Sequence, residues 1–293
     1  APRSQADEPV LRAAPRSGEQ LATIDTVEVG YRLPALLGGT LHLTRAHVGG
    51  PAVYATQMPD STWNWTRALE PLLNAPPDTS TADPLRIQLD QAHISRGYAE
   101  IAFHGAEADS TAYIDPLTVA VRDVDVGVSV RATLDTLHLR GELPTSTATP
   151  LTLRAGGTLS PERLIVRALQ LDAPRSRLRS QGQVQFARNP LASATDSLAS
   201  ALSATTFTLQ ADSLAIADLV PFVPSLAPAA NEVHRGTVHI EQEAAQWRLR
   251  GTGSVNTGGT WQANASARRP AAGDSLRYTS DLSVSGYETQ LPG

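Results

Sequence analysis

Seven histidines and 29 carboxylates carry most of the acid–base and metal-binding capacity of this 293-residue chain, which has no cysteine and no lysine. Without cysteine there is neither a thiolate site nor a disulfide framework. Without lysine there is no P-loop, Schiff-base or Ser-Lys chemistry. His42 and His47, like His234 and His239, stand five residues apart, a spacing that puts each pair on opposite faces of a strand. No tight cluster of further ligands joins them, so they read as solvent-face residues and no metal is expected. Asp123 and Asp125 are the most plausible acidic pair for a hydrolase, but they alternate with valines, as on a wetted strand face.

Three further motifs have bland explanations. "GTGSVN" (Gly251–Asn256) begins like a dinucleotide fingerprint, yet Asn256 replaces the third glycine and no helical period follows. Its glycines suit a strand position where bulk is unwanted. "STWNW" (Ser61–Trp65) holds two of the four tryptophans and reads as a local anchor, with a binding platform as the alternative. The sequons at Asn64 and Asn264 are read as chance matches. No catalytic residue and no cofactor are expected.

The elements available to position such residues are overwhelmingly strands. Aromatics make up 5% of the chain, net charge is −5, and all 24 basic residues are scattered arginines, so no stripe for nucleic acid exists. No run approaches the ~20 apolar residues of a membrane-spanning helix. The first 20 residues are Pro/Arg/Ala-rich and aperiodic, which reads as a linker, and the chain is expected to be a processed piece of a longer protein.

After residue 20 the period is two. Val27, Val29, Tyr31 and Leu33 share a face, then Leu41 and Leu43, Val53 and Ala55, and Ala99, Ile101 and Phe103. In "LTVAVRDVDVGVSV", Leu117, Val119 and Val121 align, the phase slips at Arg122-Asp123, and Val124, Val126, Val128 and Val130 carry on. One extra residue that keeps an apolar face aligned is what a β-bulge supplies. The same slip separates Leu164 and Val166 from Leu169 and Leu171. Leu178, Ser180, Gly182, Val184 and Phe186 follow, with Arg177, Arg179, Gln181, Gln183 and Gln185 opposite. Leu249 and Val255, then Leu282 and Val284, continue the theme.

Short helices are expected near 66–74, 190–203 and 218–226, with Asp218 as a cap and none of them building βαβ units. One apolar and one wet face per strand leaves three solutions: a sandwich, a closed barrel, or a groove filled by ligand. A transmembrane barrel is disfavoured by the lack of aromatic girdles.

The order of motifs resembles AsmA/TamB-like proteins. Leu36-Leu37-Gly38, Leu41, Leu43, Gly50-Pro51, Val53, Asp60 and Trp63-Asn64 stand at the places of that family's amino-terminal phrase. "LAIADLVPFVP" (Leu214–Pro224) resembles its Ala-Asp-Leu and paired-proline element. The likeness runs from about Leu21 to Leu291. Ser61-Thr62 departs from it, standing where a glycine is usual.

The resemblance implies a mainly β fold: a long, curved, antiparallel-rich sheet forming an open hydrophobic groove, with a few short helices. Residues 21–145 would form the amino-terminal segment and 146–293 the repeating groove segment. It further implies a periplasmic protein anchored to the inner membrane, moving phospholipid toward the outer membrane. The alternative is a scaffold working with an outer-membrane barrel-assembly partner; an extended β-fold carbohydrate enzyme is a third possibility. The expected groove lining is Val119, Val121, Val124, Val126, Val128, Val130, Leu164, Val166, Leu178, Val184, Phe186, Leu249, Val255, Leu282 and Val284. Small residues in the stripe, Ala99, Gly182, Ala211 and Gly251, are expected to leave room for acyl chains.

Overall fold

A computed structural model describes residues 21–73, 86–104, 110–127, 129–143, 149–186, 202–220, 223–243, 246–268 and 277–285. Its architecture is one large, curved, mixed sheet that does not close into a barrel. The opening section is β1 (Ala22–Thr23), β2 (Thr26–Arg32), β3 (Thr40–Gly49), β4 (Ala52–Thr56) and the 18-residue β5 (Arg86–Phe103). From there a meander of antiparallel neighbours runs to the end. It comprises β6 (Ser110–Val126), β7 (Val130–Leu143), β8 (Thr149–Leu159), β9 (Arg163–Asp172) and β10 (Arg177–Phe186), followed by β11 (Leu202–Ala215), β12 (Val233–Glu243), β13 (Gln246–Val255), β14 (Thr260–Arg268) and β15 (Arg277–Ser285).

The valine-rich stretch is a hairpin and not one long strand. β6 ends at Val126, and Val130 opens β7 opposite Val126. Leu33, expected to continue the face of β2, instead starts the one-turn helix α1 (Leu33–Leu36), because Pro34 lacks the amide a strand would pair. Of the helix expected at 190–203, residues 190–201 lie outside the described residues, while Leu202 and Ser203 open β11. At 218–226 the chain forms two 3-10 turns, Ile216–Asp218 and Pro224–Ala229.

A helix does connect parallel strands. β3 and β4 both lie parallel to β5 along one edge, β3 beside Arg86–Ser95 and β4 beside Tyr98–Ala102. Parallel neighbours cannot be joined by a tight turn, and the crossover from β4 to β5 carries α2 (Asn64–Leu73). Pro71 is its eighth residue, well past the first turn, and the helix ends two residues later.

The motif residues of this region fix that crossover. Asn64 Nδ2 donates to Tyr54 O (2.9 Å) and its Oδ1 accepts from Thr56 N (3.0 Å), so the side chain pairs with β4 as a strand would. Asp60 Oδ1 accepts from both Thr62 N (3.1 Å) and Thr62 Oγ1 (2.5 Å), and these bonds hold its carboxyl below the usual range. Gly50 has φ +60°, and a Cβ there would fall 2.0 Å from an Asp25 oxygen. Ser61 has φ +63°, the left-handed region that glycine enters most easily. Ser61→Gly should therefore raise stability by about 0.5–1 kcal/mol, read from the midpoint of urea unfolding.

Candidate functional site: an uncovered apolar face

The site builds up from strand register. Residues opposite one another in the ladder share a face, so pairings can be followed across the sheet. One row runs Val29–Ala46–Ala92–Val121–Leu134–Gly157 through β2, β3 and β5 to β8. It continues Val166–Gly182–Phe207–Ile240–Leu249–Ala265 through β9 to β14 and reaches Ser280 on β15. Thirteen strands contribute, and the first polar member is the last. At ~4.8 Å per strand the row is roughly 58 Å long. A row on the opposite face reads Gln91–Arg122–Thr133–Thr158–Ile165–Gln183–Thr206–Glu241, with one apolar member.

Bulges keep the two faces separate over strands of this length. Thr44, Asp90, Asp123, Asp135, Arg167 and Asp212 are each skipped by the ladder against at least one neighbouring strand. Five of the six are charged, and each charged one is tied down on the wet face. Asp90 Oδ1 lies 2.8 Å from His42 Nε2, and Asp123 lies 2.6 Å from Arg122. Asp135 lies 3.0 Å from Arg122 and 3.9 Å from Arg167, and Asp212 lies 3.2 Å from Arg179. A bulge bends its strand and adds twist, so this series of insertions is the local cause of the curvature.

Thr44 also corrects the histidine geometry. The extra residue brings His42 and His47 to the same, wet face, opposite Gln88 and His93. His47 stacks on His93 with ring centroids 5.6 Å apart and donates to or accepts from Ser95 Oγ at 3.0 Å. His234 and His239 do fall on opposite faces, opposite Leu214 and Thr208. Among the described residues no group of three or more potential ligands converges. Asp125 is bonded by Arg86, Nε to Oδ1 at 3.0 Å, which lowers its pKa. On the same face burial, then the neighbouring Glu100 carboxylate, pushes the Tyr98 hydroxyl well above its ordinary range.

Among the described residues the apolar face has no second layer. Each strand packs chiefly against its ladder neighbours, and no large side chain is fully buried among the described residues. The row's aliphatic residues from Val121 to Leu249 are half-buried. A sandwich of this size would bury dozens of such side chains completely. No family model matches this chain, and no curated protein or solved structure matches it either.

Register places Val119, Val121, Val124 and Val126 of β6, Val130 of β7, Leu164 and Val166 of β9, Leu178, Val184 and Phe186 of β10, and Leu249 of β13 on this face. Leu282 and Val284 pair in the ladder with Ala263 and Trp261. Val128 lies outside the described residues. Val255 is on the face, opposite His234, but only 6% exposed, so it does not line open surface. The alternations Leu134, Leu137 and Leu139 in β7 and Leu151 and Leu153 in β8 belong to the same face. Their spacing is as regular as that of the valines and would have found them.

Two of the expected gaps are filled. A Cβ on Gly182 would fall 2.5 Å from the Phe207 ring, and one on Gly251 would fall 2.9 Å from Trp261. The Trp261 indole also covers Gly253, where a Cβ would meet the ring at 2.5 Å and Arg235 O at 2.1 Å. Those glycines make room for protein rings. The Trp261 Nε1 is buried without a hydrogen-bond partner among the described residues, so packing alone holds the ring. Gly253→Val should therefore cost about 3–4 kcal/mol, measured by denaturant unfolding with the tryptophan emission as probe.

Asp218 caps a neighbouring turn and not its own. Its Oδ2 accepts from Ser176 Oγ (2.6 Å) and Arg175 N (3.0 Å), and Ser176 Oγ accepts from Ala215 N (3.0 Å). This ties the β9–β10 turn to the end of β11.

Proposed function

We propose that this chain is a periplasmic segment of a TamB/AsmA-like envelope protein that conducts phospholipid between inner and outer membrane along its apolar face. The observation that carries this is the uninterrupted apolar row across twelve strands with none of the described residues laid over it. Acyl chains suit such a surface. Each methylene removed from water contributes about 0.8 kcal/mol without needing direction, whereas an unpaired polar group facing hydrocarbon costs several kcal/mol. A row free of side-chain donors therefore holds a chain at every point equally, and cargo can slide along it. The bulges supply the curvature that half-encloses it.

Lipid extraction and mass spectrometry of protein purified without detergent tests the proposal. Phospholipid at one or more molecules per chain supports it, and a lipid-free protein contradicts it.

A second reading, a scaffold for outer-membrane protein assembly, is favoured by one feature. Among the described residues β2 pairs only with β3, so its outer edge offers backbone groups to a partner strand. Crosslinks to a barrel partner from β2 positions, and none from the apolar face, would favour it.

A further inference from the structure

We infer that the β2–β3 connection is a tip that inserts into an anionic lipid surface, setting the end of the apolar face against a bilayer. Leu37 is 94% exposed, Leu33 62% and Leu36 44%, all on the protruding turn made by α1 and Gly38-Gly39. Tyr31, 59% exposed, stands at its base. Leucines on a projecting turn, with a tyrosine behind them, match the interfacial layer of a bilayer, where apolar side chains sink among acyl chains and a phenol stays at headgroup depth.

Charge points the same way. Between Val29 and Ala46 the chain carries Arg32 and Arg45 and no carboxylate, in a protein of net charge −5. Both arginines are exposed, Arg32 next to α1 and Arg45 further back opposite Gly30, and cations near an apolar tip strengthen attachment to anionic lipid. The tip also adjoins the apolar face, since Tyr31 pairs with Leu43, which pairs with Leu89. A lipid leaving the bilayer there would meet apolar surface without crossing water. In this role the tip rests on the conduit proposal; as a membrane contact it stands on its own residues.

The test is co-sedimentation of the chain with sucrose-loaded vesicles of phosphatidylethanolamine and phosphatidylglycerol. The variant Leu33→Ser/Leu37→Ser should lose ~10-fold or more of its partition with its circular dichroism unchanged. Arg32→Gln/Arg45→Gln should lose partition onto these vesicles and none onto phosphatidylcholine. A wild-type chain that stays in the supernatant, or a serine variant that sediments as well as wild type, would overturn the inference. Concentration-dependent dimerisation abolished by the serine variant would overturn it as well, assigning the leucines to a second copy. Phospholipid retained after gel filtration is read on the same samples. If no lipid is retained but vesicle partition still depends on Leu33 and Leu37, the conduit proposal fails and the tip stands. Retained lipid with unchanged partition removes the tip alone.

Discussion

Val121→Asp is expected to reduce phospholipid transfer between donor and acceptor vesicles about 100-fold while leaving the protein folded. Val121 sits in the apolar row between Ala92 and Leu134, half-exposed on a surface that no described residue covers. In the lipid-free protein a carboxylate there stays hydrated, so the fold tolerates it. An acyl chain passing over it must strip that water, at a cost of several kcal/mol, and about 1.4 kcal/mol is tenfold in rate. Conduction in series is limited by its worst segment, so one charge suffices. Thr136→Asp, on the wet face opposite Ala120, should leave transfer unchanged. Fluorescent-phospholipid transfer measured for both variants checks the prediction.

Deleting Asp135 should be tolerated, with a loss of at most ~1–2 kcal/mol, whereas deleting Arg154 should cost more than ~4 kcal/mol or abolish folding. Asp135 is the extra residue of a bulge in β7, and without it Leu134-Thr136-Leu137 becomes an ordinary in–out–in alternation. The deletion loses a bend and the contacts to Arg122 and Arg167, which are exposed pairs worth little each. Arg154 is a ladder residue, paired with His138 and Gln170. Removing it shifts the phase of β8 and drives its leucines to the wet face on one side of the cut. Urea unfolding of the two deletions separates them, and equal costs would contradict the role assigned to the bulges.

The period-two pattern and its slips were readable because they depend on nothing beyond the strand itself. Two residues between successive members of an apolar alternation, as at Arg122-Asp123 or Arg167-Ala168, mark the bulge directly. The turn between Val126 and Val130 was hidden because a valine-rich hairpin carries no strong breaker apart from Gly127. The parallel placement of β3 and β4 on one edge of β5 is a tertiary choice, visible only once Gly50 and Asn64 are seen holding the two strands and the crossover in place. The face of His42 relative to His47 turned on a single residue, Thr44, whose slip shows only in Leu43 and Ala46 sharing a face three residues apart. The space expected over Gly182 and Gly251 depends on residues on neighbouring strands, Phe207 and Trp261, and local spacing carries no information about them.

Benzoylphenylalanine placed at Leu137, Leu153 or Leu209 on the apolar face, and at Thr136, Arg154 or Gln210 on the other, tests the central claim most directly. After irradiation in cells, mass spectrometry of the purified protein should find phospholipid adducts at the first three positions and none at the second three. Adducts within the protein's own chain at the first three positions, with no lipid attached, would show that face to be covered and the account to be wrong.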